Sequence, residues 1–256
     1  MKDAQSKPFI ENHARMIDKQ YWNFRAKDYN ISSLKTDEIS LIEYFLEIGI
    51  INENSVILDV GCGPGVFSKT FAKYVKKVVA LDISEEMLSC AKENNKENKN
   101  VEFIDADWAT ADLSKYEKSF DLVFAHMAPA IYDGNTLDRM MYVCRGYCYY
   151  AHFARRSSNV ENGLNEVLNI GHTEPGHIRG MFLNLWDRGK FPQVSYEDRS
   201  SRKVMTTQEA IHYYKMQYMY PDSSDEIAKK YFEKISEDGK IEVLVNYKKG
   251  CLLWSV

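Results

Sequence analysis

The eight residues "LDVGCGPG", 58–65, set one carboxylate, Asp59, ahead of three glycines at alternate positions, Gly61, Gly63 and Gly65. Glycine tolerates positive φ and carries no side chain. Such a run turns tightly, leaves amide groups exposed and lets a ligand touch the main chain. A second carboxylate, Asp82, ends the apolar run "VVALD", where it could accept hydrogen bonds from both hydroxyls of a ribose. Together they point to a nucleoside-bearing ligand more strongly than either does alone. The competing reading of the glycines is a tight turn with no ligand. Past a later apolar run stand His126, Tyr132 and Asp133, groups able to take a proton from an acceptor. His126 has a structural histidine as its alternative, and Asp133 a helix cap.

The spacing narrows the ligand. A dinucleotide fingerprint reads G-x-G-x-x-G, with the third glycine inside the first helical turn. Here the third glycine comes one position early, at Gly65, and position 66 is Val66. Asp59 would repel a pyrophosphate set beside it and favour a cation. That contrast turns the reading from a nicotinamide dinucleotide toward S-adenosylmethionine, which carries a sulfonium and an ammonium.

Elements that position these groups follow from periodicity. Val56–Asp59, Val78–Asp82, Val101–Ile104, Phe120–Ala125 and Tyr147–Phe153 are short and almost continuously apolar, as strands of a parallel sheet buried on both faces are. Between them lie helical patterns: Val66–Val75, with Phe67, Phe71, Tyr74 and Val75 on one side; "SEEMLSCAKENNKEN", capped by Ser84 and fraying at its polar tail; and "NTLDRMMYVCRG", ended by Gly146. Residues 8–48 read as two helices, the second with Thr36 as its N-cap and Gly49 as its stop. Strands alternating with helices imply a doubly wound α/β sheet. After Phe153 the rhythm changes to three amphipathic helices, one opened by a Thr206-x-x-Glu209 capping box, and then to "KIEVLVNY-KKG-CLLWSV", a hairpin with its turn at the lysines and glycine.

In this order the motifs resemble those of the class I S-adenosylmethionine-dependent methyltransferases, over about residues 15–153 and again at the C-terminal hairpin. "LDVGCGPG" is similar to the family's first motif, whose glycines pass under the methionine part of the cofactor. "ALDISEEML" is similar to the second, which implies Asp82 on the ribose, Ile83 against the adenine and Met87 nearby. "VEFIDADWATADL" resembles the third, which implies Asp107 accepting from the adenine amino group and Trp108 beside the ring. "YWNFRAKDYN" resembles a helix that closes over the cofactor, with Tyr21, Arg25 and Tyr29 as candidate contacts. Turn aspartates, a packing tryptophan and a polar helix rim are the competing readings of Asp59 and Asp107, Trp108, and Tyr21, Arg25 and Tyr29.

The resemblance implies a Rossmann-like, mainly parallel seven-stranded sheet with a C-terminal antiparallel hairpin and a mixed α/β cap insertion. The expected division is 1–50 as helices over the cofactor, 51–155 with 237–256 as the cofactor core, and 156–236 as the cap. It also implies methyl transfer by in-line displacement, with His126 and Tyr132 as the groups placed to serve as base. The acceptor reading is a small molecule. Positions 125–129 hold "AHMAP" rather than an Asn/Asp-Pro-Pro-aromatic stretch, and the insertion is rich in aromatics, among them Phe182, Trp186, Tyr196, Tyr213, Tyr214, Tyr218 and Tyr220. One of Tyr213 and Tyr214 should build the lobe and the other face a pocket. A lobe core or a homodimer interface is the competing use of these side chains. A non-catalytic S-adenosylmethionine-binding subunit is the alternative function.

Composition sets outer bounds. The chain has 256 residues, 45% apolar and 27% charged, and a formal net charge of −4, which argues against a dominant nucleic-acid surface. Five cysteines, Cys62, Cys90, Cys144, Cys148 and Cys251, have no paired metal-ligand spacing and suit reduced thiols. Cys144 and Cys148 are expected at a helix end and across a turn. His152, His172, His177 and His212 are scattered, so no metal is expected. With no apolar run of signal-peptide or membrane-spanning length, a cytoplasmic protein without membrane contact is expected.

Overall fold

Five branched apolar runs form the strands expected of them, and the largely polar segment Gln193–Thr206 forms a further strand that its residue types do not announce. β1 (Val56–Val60), β2 (Lys77–Asp82), β3 (Val101–Asp105), β4 (Phe120–His126), β5 (Cys144–Ser158), β6 (Gln193–Thr206) and β7 (Lys240–Ser255) make one sheet of order β3-β2-β1-β4-β5-β7-β6 in the computed structural model. It describes residues 18–33, 39–169, 177–218 and 220–256; Thr36, His172 and the expected helical residues before position 18 lie outside these. β1 pairs in parallel with β2 and β4, β2 with β3, and β4 with β5. Strand order reverses between β1 and β4, the kind of switch point beyond which open α/β sheets bind ligands.

The helices are α1 (Lys19–Ser33), α2 (Ile39–Glu47), α3 (Val66–Phe71), α4 (Glu85–Asn94), α5 (Gly134–Val143), α6 (Glu161–Val167), α7 (His177–Asp187), α8 (Thr207–Tyr218) and α9 (Asp225–Ile235). Backbone proximity groups the chain into two units. The larger holds described residues 18–33, 39–152, 177–195 and 250–256, and the smaller 153–169, 196–218 and 220–249. The span 156–236 is therefore shared between them.

In the larger unit Ile57, Val78, Leu122 and Phe124 bury one sheet face against Ile42 and Phe45 of α2 and Phe71 of α3. Phe124 stacks on Tyr149 at 5.0 Å, and Phe67 closes on Phe124 at 4.7 Å. The intervening residues Leu58, Val79, Val123 and Tyr150 are buried too, so both faces are covered. In the smaller unit Leu164, Ala210, Tyr214, Ala228, Phe232, Ile241 and Val243 form a separate core. The Thr206–Glu209 capping box is made: Glu209 N donates to Thr206 Oγ1 at 3.2 Å and Thr206 N to Glu209 Oε2 at 2.7 Å.

Several boundaries differ from expectation. α5 stops at Val143, and Gly146 lies inside β5 rather than ending the helix. A Cβ there would come within 2.3 Å of Asp121 O, so glycine serves strand contact, not a helix stop. Cys144 and Cys148 both sit in β5, buried, across an irregularity in its pairing with β4. α3 ends at Phe71, one turn after its start, and the chain turns before β2.

The antiparallel pair at this end of the sheet is β6 with β7, joined through α8 and α9, while the expected two strands of 240–256 are the single strand β7. Lys248, Lys249 and Gly250 do not turn; β7 runs through them. Gly250 has no positive φ, and the two lysines pair sideways, Lys248 with Asp198 at 2.7 Å and Lys249 with Glu197 at 3.1 Å. A charge run that reads as a loop is thus a set of cross-strand pairs. Main-chain bonds from Val256 N to Gly146 O and from Asn159 N to Leu244 O set β7 antiparallel to β5.

Among the described residues no helix is long and apolar enough to cross a membrane, and no group of three or more His, Cys, Asp or Glu could hold a metal.

Adjacent tyrosines of α8, Tyr213 and Tyr214, have separate tasks. Tyr214 is fully buried and stacks on Phe232 at 5.4 Å, whereas Tyr213 is half-buried with Lys203 Nζ 5.0 Å from its ring centre. Tyr214→Ala should therefore lower unfolding free energy by about 3–5 kcal/mol, as for other large buried rings, and Tyr213→Ala by clearly less. Urea unfolding of both variants checks this; equal losses would contradict it.

Candidate active site

Parallel strands deliver their C-terminal residues to one edge of the sheet, and the chemistry-bearing residues gather there. Asp59 is the next-to-last residue of β1, Asp82 ends β2 opposite Asp105 of β3, and His126 ends β4 opposite Ala151 of β5. Asp59 is 3% exposed and accepts from Ser68 Oγ at 2.6 Å, which ties α3 to β1.

Gly61, Gly63 and Gly65 all have positive φ, 67°, 53° and 74°. At Gly61 a Cβ would lie 2.8 Å from Ala128 Cβ, and at Gly65 it would lie 2.8 Å from Asn95 Nδ2. The amides of Gly61 and Cys62 bond to Leu81 O at 2.8 and 3.0 Å. That of Gly63 donates to Asp82 Oδ2 at 2.8 Å, while Ser84 N donates to Asp82 Oδ1 at 2.9 Å. Asp82 is 7% exposed. Burial pushes its carboxyl up and the neighbouring Asp105 adds to this, while the backbone donors Ser84, Gly63 and Ile83 oppose it. Cys62, inside the loop, is pushed well up by burial and by Asp82 and Asp59.

The polar tail of α4 does not fray. Asn94 Nδ2 donates to Pro64 O at 2.8 Å and Asn95 Nδ2 to Gly65 O at 3.0 Å, with Asn95 3% exposed. These amides satisfy carbonyls that the glycine turn leaves without a ladder partner. Asn94 also donates to Asn30 Oδ1 of α1 at 2.8 Å, and Ser84 Oγ donates to Asn23 Oδ1 at 2.6 Å. α1 is thereby laid along α4, with Tyr29 Cε1 3.8 Å from where a Cβ on Gly63 would stand. On the same helix Arg25 Nη1 donates to Tyr21 Oη at 3.2 Å. No apolar period marks this role of the asparagines; only their clustering in "KENNKEN" signals it.

Ile83 is half-buried beside Asp82, and Met87 is buried within α4. Asp107 accepts from Ala109 N at 2.9 Å and Thr110 Oγ1 at 3.0 Å, the arrangement of a turn aspartate. Trp108 is 1% exposed; its Nε1 donates to Thr136 O at 3.0 Å, and Arg139 packs 5.6 Å from its ring. Asp133 forms a capping box with Thr136 at the start of α5. Tyr132 is half-buried, and its phenol is pushed up by burial, with Asp133 and Asp107 adding to the shift. His126 meets the ring of Phe67 edge-on at 4.6 Å. Just beyond it, Met127 takes φ 55°, a left-handed conformation that is uncommon without glycine and that sequence alone does not reveal.

Residues 57–146 match the family model described as a methyltransferase domain. That stretch, about a third of the chain, is similar to a methyltransferase domain. The chain is 32% identical over 121 residues to malonyl-[acyl-carrier protein] O-methyltransferase 2 of Ilyobacter polytropus, covering 43% of this chain and 44% of that one. It is 33% identical over 123 residues to a 23S rRNA (uracil(1939)-C(5))-methyltransferase of Aliivibrio fischeri, covering 41% of this chain and 28% of that one. The chain thus spans less than half the length of these curated relatives. Among solved structures, a candidate methyltransferase of Bacillus halodurans matches at a TM-score of 0.56 and 18% identity, over 84% of this chain and 98% of that one. That match shows the shared fold.

The bracing of the glycine loop is testable apart from any ligand. Asn95→Leu leaves Gly65 O buried without its donor and should cost about 1–3 kcal/mol. Thermal or urea unfolding measures the loss; an unchanged midpoint would show that the loop stands without Asn95.

Proposed function

We propose that this chain transfers a methyl group from S-adenosyl-L-methionine to a small-molecule acceptor, leaving S-adenosyl-L-homocysteine. The observation that carries the reading is a pair of buried carboxylates at the switch point: Asp59 below the glycine loop, and Asp82 joined to that loop through Gly63 N. Two anions there disfavour a pyrophosphate and suit a nucleoside with a cationic tail. The three positive-φ glycines leave the side-chain-free cradle such a ligand needs.

Bound there, the cofactor supplies an electrophilic methyl group on a sulfonium. Asp82 holds the ribose, because two amide donors leave lone pairs on its oxygens. Ile83, Met87, Asp107 and Trp108 form the adenine side, Asp59 with Gly61, Gly63 and Gly65 the methionine side, and Tyr21 and Arg25 of α1 the cover. Displacement at the methyl group needs alignment and exclusion of water more than proton transfer. Where the acceptor must lose a proton, His126 takes it, since imidazole can do so near neutrality. Tyr132, its phenol pushed up, keeps its proton and donates a hydrogen bond.

In the same proposal residues 1–50 serve cofactor closure, 51–155 with 237–256 the cofactor core, and 156–236 acceptor selection. The net charge of −4 supports a small acceptor over RNA. So does the similarity to phosphoethanolamine N-methyltransferase 1 of Triticum aestivum, 28% identical over 119 residues, covering 44% of this chain and 24% of that one. The rRNA enzyme among the relatives makes RNA the acceptor to test against.

Calorimetry should show binding of S-adenosylmethionine and S-adenosylhomocysteine but not NADH. Asp82→Ala should weaken S-adenosylhomocysteine binding at least about tenfold, since two hydrogen bonds to a charged acceptor are lost. Unchanged affinity would misplace the ribose. With methyl-labelled cofactor, label should enter a small-molecule extract. Label in RNA would overturn the acceptor reading, and cofactor binding with no transfer to any fraction would favour a binding subunit.

A further inference from the structure

We propose that β6 is a homodimer interface, in which Tyr196–Val204 pairs antiparallel with the same segment of a second copy and Ser200 faces its counterpart on the two-fold axis. The proposal does not depend on the methyl-transfer reading.

β6 is the outermost strand of the sheet, with β7 on one side and no described strand on the other. It is 14 residues long, yet only Met205 is buried and Glu197 half-buried; the rest are exposed on both faces. Three exposed residues are large and apolar, Val194 at 38%, Tyr196 at 56% and Val204 at 54%. A long open edge offers unpaired main-chain groups to any strand that can dock, and charges on such an edge normally deter docking. Here the charges read "EDRSSRK", residues 197–203, acidic at one end and basic at the other.

An antiparallel pairing of this segment with itself reverses that order. With Ser200 opposite Ser200, Glu197 faces the partner's Lys203, Asp198 faces the partner's Arg202, and Tyr196 faces the partner's Val204. Two-fold symmetry makes each pair twice. Directly opposed residues share a face and interact, and opposite charges there are favourable while like charges are not. Neighbouring registers lose this match. A one-residue slip keeps Asp198 against the partner's Lys203 but opposes Arg199 to the partner's Arg202, and a slip of the other sense keeps only Glu197 against the partner's Arg202. The charges that refuse an unrelated strand therefore admit a second copy in one register.

Within the chain, Asp198, Glu197 and Arg202 already pair across to Lys248, Lys249 and Glu242 of β7. This holds the charged side chains at their strand positions. An inner strand lies between two neighbours, so each charge can serve both sides.

Sedimentation of the full chain over a concentration series should show a monomer–dimer equilibrium. Two variants test the register: Glu197→Lys with Asp198→Arg, and Arg202→Glu with Lys203→Glu. Each alone sets four like-charge pairs against itself and should weaken dimerisation about 100-fold or more. Mixed in equal amounts, they present complementary edges and should form a heterodimer. A folding defect would not be repaired by mixing, and thermal unfolding of each variant separates the two. The proposal fails if the native chain stays monomeric throughout, if its dimer survives either charge reversal, or if folded variants remain monomeric when mixed.

Discussion

The Asp82 carboxylate is the joint on which the site depends. One oxygen holds the amide of Gly63 and the other that of Ser84. A single side chain thus fixes the glycine loop after β1, the end of β2 and the start of α4. The Gly63 amide, unlike that of Gly61, finds its acceptor in a side chain and not in β2 main chain, and a buried carboxylate needs donors of its own. Each resolves the other's difficulty. Loop and carboxylate are complementary parts of one arrangement, and the parallel pairing of β1 with β2 brings them together.

Around that joint runs a second layer of amides. Asn94 and Asn95 take up the carbonyls of Pro64 and Gly65, and Asn30 and Asn23 carry the connection to α1. The glycine turn is therefore held on its amide side by Asp82 and on its carbonyl side by α4. A loop without side chains has little packing to keep it in place, so it is set by hydrogen bonds from neighbours that do have them.

Much of this was readable from residue types. Strand positions, the switch point and the carboxylates at strand ends follow from apolar runs and the residues that terminate them, because a parallel sheet imposes both. The capping boxes at Thr206 and Asp133 follow from local rules. What escaped was non-local. Gly146 reads as a helix stop, but its lack of a side chain answers to Asp121 on another strand. Lys248 and Lys249 read as a turn, but their partners lie about fifty positions upstream, at Asp198 and Glu197. The Asn94–Asn95 pair reads as a frayed end, because its partners belong to a different loop. Trp108 shows the limit at the candidate site. Its position in a motif is local, while its burial against α5 depends on tertiary packing. Windowed patterns report what a residue does along its own element and are silent on what faces it.

Cys62 gives the glycine loop a further property. A thiolate, not a thiol, is the reactive form of cysteine toward alkylating agents. Burial and the flanking Asp82 and Asp59 hold Cys62 in its protonated state. On the proposed function, the carboxylates that suit this loop to a sulfonium also keep its thiol from being alkylated by that ligand.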